Sequence, residues 1–230
     1  MSSTPEVYVF AFAGVAGALA WLTSFVGVDR VGASINTAGF NTHPLFATVV
    51  AFLLLGEKLS AQIGVGVIII VGGLTVIGTS NGGDRAGWSP IDLAFPLLAS
   101  AAYAVSNVVR RFGLTQTDVT TFEAITINSI ATLGALFAYA AVTRDIQLLP
   151  PKEAMRPFVL SGLFSGFALL SLFEAFNRGS VAVVSALSGL SPVFATVIAA
   201  VFLADVERVT AGIVVGVLLV VCGALLIALA

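Results

Sequence analysis

Eight stretches of this chain run for 17 residues or more without a charged side chain: 7–28, 31–56, 59–83, 93–109, 124–143, 157–173, 179–204 and 209–230. A helix needs about 20 apolar residues to cross roughly 30 Å of hydrocarbon, so each stretch can span a bilayer. Charges gather in the gaps because an ionised group at the bilayer centre costs roughly 3 kcal/mol. With no water beside them, backbone groups must pair within their own segment, which at these lengths means helices. Composition agrees, since 58% of residues are hydrophobic, 10% are charged and the mean hydropathy is +1.08. The expected class is an all-α multi-pass membrane protein with eight transmembrane helices, seated in the cell membrane.

The gaps exclude several functions. The longest, 79–92 and 144–156, are rich in Gly, Asn, Asp and Pro, and at about a dozen residues each they suit loops and no folded domain. A net charge of −2 spread over them makes no basic patch for nucleic acid. The first segment is too long for a cleaved signal peptide. Cys222 is the only cysteine, which removes intrachain disulfides and thiolate metal sites. With a single histidine and no Gly-rich loop followed by lysine, neither an enzyme nor a bound cofactor or metal is expected.

The chain also repeats itself. Pro44-Leu-Phe-Ala-Thr-Val-Val-Ala returns 148 positions later as Pro192-Val-Phe-Ala-Thr-Val-Ile-Ala, and six of eleven positions over 43–53 match 191–201. Gly14 pairs with Gly162 and Arg30 with Arg178. Past Gly56 the offset becomes 150, so Glu57 meets Glu207, Gly66 meets Gly216 and Gly73 meets Gly223. The first three segments therefore align with the last three, five crossings later. An odd number of crossings brings the second copy in from the opposite side, so the repeats are inverted about a pseudo-twofold axis in the membrane plane. Alternating-access transporters carry this pattern, and so do some channels and scaffolds.

Pro44 and Pro192 are each the fourteenth residue of a 26-residue segment. A proline there frees a carbonyl one turn earlier near the midplane, which a wet cavity tolerates and hydrocarbon does not. Paired interruptions in equivalent positions point to a transporter's binding site, against the plainer reading of kinks made for packing. Gly162 and Gly166, like Gly212 and Gly216, are four apart, a spacing that lets helices approach closely.

His43, the only histidine, precedes Pro44, with Asn36 seven residues earlier on the same helical face and Asn41 and Thr42 beside it. A neutral imidazole can bind a solute, carry a coupling proton, or simply bond to a neighbouring helix. Its counterpart is Ser191, preceded by Ser188 and Ser185, so a cavity between the halves is chemically lopsided. Tyr103 and Asn107 share a face with Ser100, and Asn128 follows Thr121 by seven. The solute-binding candidates are His43, Asn36, Asn41, Tyr103, Asn107, Asn128, Ser188 and Ser191, with Pro44 and Pro192 as helix breaks and Trp21 as an aromatic wall. His43 and Glu174 are the candidate proton carriers. Glu174 also lies four residues before Arg178, and Glu123 near a helix start, positions that suit an ion pair and the helix dipole.

Ala47-Thr-Val-Val-Ala-Phe-Leu-Leu-Leu-Gly56-Glu57-Lys58-Leu59-Ser60, with Gly66 and Gly73 beyond it, resembles the end of an EamA repeat of the drug/metabolite transporter superfamily. Glu207, Thr210, Gly216 and Gly223 follow the same pattern more loosely, and Ala101-Ala-Tyr-Ala-Val-Ser-Asn-Val-Val-Arg-Arg111 resembles the helix that opens such a repeat. The resemblance implies two five-helix repeats. Residues 7–83 then form a first repeat with only its last three helices, 84–92 a loop, and 93–230 a complete second repeat. Truncation of the first repeat is the expectation, because the resemblance implies that opening helices line the pathway. It also implies cytoplasmic termini, which puts Lys58, Arg110, Arg111 and Arg178 inside against Arg30, Arg85, Arg144, Lys152, Arg156 and Arg208 outside. The positive-inside rule prefers the reverse.

The expected function is secondary transport by alternating access, with export of a small organic metabolite or drug-like solute coupled to protons. The other reading is a non-transporting scaffold or partial subunit that needs a partner. Neither the solute's charge nor its identity is legible, and a homo-oligomer is left open.

Overall fold

The computed structural model describes residues 4–57, 60–80, 89–143, 151–190, 194 and 210–228. Among them every regular element is helical: α1 (Thr4–Val31), α2 (Ala33–Phe40), α3 (His43–Leu55), α4 (Ala61–Ser80), α5 (Ala94–Gln116), α6 (Thr121–Thr143), α7 (Met155–Arg178), α8 (Val181–Ser188) and α9 (Ala211–Ala228). Short 3-10 turns at Pro90–Leu93 and Lys152–Ala154 lead into α5 and α7. Pro5–Val31, Ile35–Leu55, Pro90–Gln116, Thr121–Thr143 and Met155–Arg178 are long and apolar enough to cross a membrane, and Ala61–Ile77 and Ala211–Ile227 are shorter apolar helices. The chain is an all-α multi-pass membrane protein. Ser191 and Pro192 lie outside the described residues.

Two helix boundaries are set by glycines with positive φ. Gly32, at φ 88°, separates α1 from α2, and Gly56, at φ 63°, ends α3 in the left-handed region that disfavours side chains. Ser180 starts α8, its hydroxyl accepting from the Val183 N–H at 3.3 Å.

α1 lies between α5 and α6. The Ser106 hydroxyl of α5 donates to the Ala13 carbonyl at 2.7 Å, and that of Thr132 in α6 donates to the Gly14 carbonyl at 3.1 Å. A Cβ on Gly14 would collide with the Asn128 backbone. One core then gathers Phe10 of α1, Ala47 and Ala51 of α3, Val108 of α5, Phe173 and Phe176 of α7, and Val181 of α8.

A second core joins α4 and α9, through Val67, Ile70 and Leu74 against Val220 and Ile227. A Cβ on Gly73 would stand 2.7 Å from the Gly216 carbonyl oxygen, and one on Gly216 2.7 Å from that of Gly73. Gly66 and Gly223 meet likewise, at 3.0 and 2.8 Å. The helices run antiparallel, and each glycine meets the repeat mate of the other. That exchange is what a twofold axis between inverted copies produces.

Two expectations need correction. Among the described residues Gly162 and Gly166 mediate no close approach, since no described atom would lie within 4 Å of a Cβ on either. Both sit on an exposed face of α7 with Leu160, Leu163, Phe164 and Phe167. α5 also runs past Val109 to Gln116, because no residue from Val109 to Gln116 is a proline and Gly113 packs against Phe10. Arg110 is therefore a helix-interior residue and not a loop charge.

Candidate functional site

The break between α2 and α3 follows from Pro44. Its missing N–H leaves the Phe40 carbonyl, four residues earlier, without its helical donor. His43 Nδ1 takes that place at 3.3 Å from the Phe40 oxygen. A carbonyl only accepts, so Nδ1 carries the proton, and in the neutral ring Nε2 is an acceptor. Nε2 is buried and has no partner among the described residues. Beside it, the Thr42 hydroxyl donates to the Gly39 carbonyl at 2.7 Å and pairs with Ser100 of α5 at 2.9 Å. Since Thr42 has one proton to give, Ser100 is the donor in that second bond.

Four rings surround the break. His43 stands 5.1 Å from Tyr103, centroid to centroid and nearly edge-on at 83°, and 5.6 Å from Phe40. Phe40 lies 5.5 Å from both Tyr103 and Trp21, distances at which aromatic rings attract beyond simple burial. Trp21 is 48% exposed, so the cluster has one open edge. α1, the α2–α3 break and α5 each contribute to it. Asn36 is buried nearby in sequence on α2, its amide donating to the Ser24 hydroxyl at 2.9 Å while its own carbonyl oxygen stays unpartnered. The buried hydroxyls of Thr48 in α3 and Ser185 in α8 are also unpartnered. Buried polar atoms without partners are uncommon in folded proteins and invite explanation.

The other expected residues are placed differently. Asn107 and Asn128 both bond to the buried Arg110, their carbonyl oxygens accepting from Nη1 at 3.1 Å and Nε at 3.2 Å. Ser188 donates to the Ser185 carbonyl at 2.8 Å, and Asn41 lies in the turn after α2. Glu174 is apart from the rings, at the end of α7. It pairs with Arg178 at 2.6 Å and accepts from Thr121 at 2.9 Å. Glu123 caps α6, its carboxylate accepting from the Thr120 N–H at 3.0 Å.

At that same end, both Glu57 oxygens accept from the Val181 N–H at 3.0 Å, placing a negative charge at the N-terminus of α8. Arg111 approaches Glu57 at 3.9 Å and donates to the terminal carbonyls of α7 at Phe176 and Asn177. Opposite charges thus meet the helix ends that favour them, tying α5, α7 and α8 to the chain that leaves α3. Phe40, Thr48 and Arg110 are the residues that sequence reasoning overlooked. Arg110 had a signal, because Ser100, Tyr103, Asn107 and Arg110 form one continuous stripe at helical spacing.

A solved crystal structure superposes on the chain with a TM-score of 0.80 at 20% identity, over 100% of this chain and 79% of that one, a likeness of fold. No curated protein matches the chain. The profile of the EamA-like transporter family matches residues 2–79 and 91–229, on either side of the connector between α4 and α5. With helices of membrane-spanning length and a family match over most of its residues, the chain belongs to the EamA-like transporter family of the drug/metabolite transporter superfamily.

Proposed function

We propose that the chain is a secondary transporter that carries a small organic solute by alternating access around the Trp21, Phe40, His43 and Tyr103 cluster. The observation that carries this reading is the unpartnered Nε2 of His43, held inside a ring cluster at a helix break. Apolar walls with a few convergent polar groups are what solute sites consist of. Broken helices at membrane depth are tolerated where they line a cavity. We favour proton-coupled export, with His43 as the carrier, because Glu174 is engaged by Arg178 and Thr121. Asn36 and Tyr103 would complete the site. In proteoliposomes, His43→Ala is expected to abolish solute flux driven by a pH gradient; wild-type rates in that variant at every pH would remove His43 from the mechanism.

One observation favours a second reading, a partial subunit that works with another chain. α1 and α7 are mates in the sequence repeat, yet α1 is covered by α5 and α6 while Gly162, the mate of Gly14, has no neighbour among the described residues within 4 Å of a Cβ. Counterflow in liposomes holding this chain alone would exclude that reading, and flux appearing only on addition of a partner would favour it.

A further inference from the structure

We propose that the transported solute is an organic anion whose carboxylate is received by Arg110, an inference that rests on the transport reading above. Arg110 is 5% exposed and lies on the same face of α5 as Tyr103, two turns away. An arginine this close to a helix end would ordinarily extend outward to water. This one turns inward, as the Cα–Cβ direction of a helix favours. Its guanidinium carbon sits 6.0 Å from the Tyr103 ring and 5.3 Å from that of Phe173.

Among the described residues, no ion pair brings it an opposite charge. Its hydrogen-bond partners are the amides of Asn107 and Asn128 and the Tyr103 hydroxyl. At the near end Glu57 pairs with Arg111 and Glu174 with Arg178, while Asp118 and Glu123 are exposed. Amides and ring faces steady a buried cation without neutralising it, so the cost of its desolvation is only partly offset. In a membrane interior such a charge marks a functional site. Nη2 makes no hydrogen bond among those found, and Gly17 faces it; a Cβ there would stand 3.1 Å away. The guanidinium, which the Tyr103 hydroxyl also approaches, thus keeps donors that Asn107 and Asn128 do not use, and arginine's planar fork suits a carboxylate.

Tyr103 connects this cation to the ring cluster, since it contacts both Arg110 and His43. The two ends have opposite needs. Arg110 donates, whereas His43 Nε2 and the Asn36 carbonyl oxygen accept. A solute with a carboxylate at one end, an aromatic or apolar body, and an N–H or O–H at the other would meet both.

Phenylacetate, phenylacetamide and phenethylamine share one shape and differ in charge, and Trp21 beside Tyr103 can report their binding. Purified full-length protein carrying Trp88→Phe would be titrated with each while Trp21 fluorescence is followed, and the same three would be offered as counterflow substrates. Saturable binding of phenylacetate in preference to the other two is expected. Arg110→Gln should weaken it about ten- to a hundredfold, and Arg110→Lys by less. If Arg110→Gln fails to fold, retention of part of the preference for the acid in Arg110→Lys supports the inference, and equal affinity for acid and amide in that variant overturns it. Binding of the amide or amine alone overturns the anion assignment while leaving transport standing. No saturable binding of phenylacetate also overturns it, whereas loss of counterflow with binding intact would count against the transport reading only.

Discussion

Pro44 shapes the candidate site through a hydrogen bond it cannot make. Because it leaves the Phe40 carbonyl free, His43 is fixed by Nδ1 and presents Nε2 inward. Pro44→Ala restores a backbone donor to that carbonyl. The imidazole is then expected to lose its tether, so that solute affinity falls several-fold while the fold is kept, as binding titrations with matched thermal melts would reveal. His43→Gln keeps an acceptor near the Nε2 position and should retain more affinity than His43→Asn, which can still reach Phe40 but has nothing beyond it. Equal losses in the two variants would argue against Nε2 as the contact. Arg110 matters at this scale too. With it buried, the positive residues that the expected topology groups with it fall from four to Lys58, Arg111 and Arg178, against six in the other group. Placing the termini in the cytoplasm then strains the positive-inside rule further.

Among the elements, the crossing of α4 and α9 and the α8 cap give the clearest expectations. Gly73→Ala or Gly216→Ala puts a methyl against the facing carbonyl and should cost about 1–3 kcal/mol of stability. Gly162→Ala should leave the melting temperature unchanged or raise it, since nothing described lies near a Cβ there. Both are read by thermal unfolding in detergent. Glu57→Ala removes a cap and leaves Arg111 without its carboxylate, with an expected loss of about 1–2 kcal/mol. If Glu57 also holds that end of the bundle shut, cysteines introduced near Val181 should react faster in the variant. The sequence could foresee this crossing in part. Gly66, Gly73, Gly216 and Gly223 stood out by repeat alignment, but which glycine meets which depends on the twofold relation between helices. Gly162 and Gly166 had the same spacing as Gly212 and Gly216 and misled, because spacing says what a helix face permits and not whether a neighbour is there.

Across the molecule, the helical spans were legible because lipid leaves few alternatives, and charge-free length is visible directly. The repeat was legible because Pro44 and its flanking residues recur almost unchanged. The candidate site was only half legible. His43, Asn36 and Tyr103 were found as rare polar groups in apolar surroundings, whereas Phe40 looked like any lipid-facing ring and Arg110 looked like a loop charge. Hydropathy scores a residue by type, and both owe their roles to what α5 and the helix break place beside them. The paired glycine contact between α4 and α9 has a historical consequence. In a forerunner made of two identical chains, Gly66–Gly223 and Gly73–Gly216 would have been one contact encoded once, so any mutation there struck the assembly twice. Two copies joined in one gene would be uncoupled. Each half could then drift alone, so that one copy carries His43 where the aligned position of the other is Ser191.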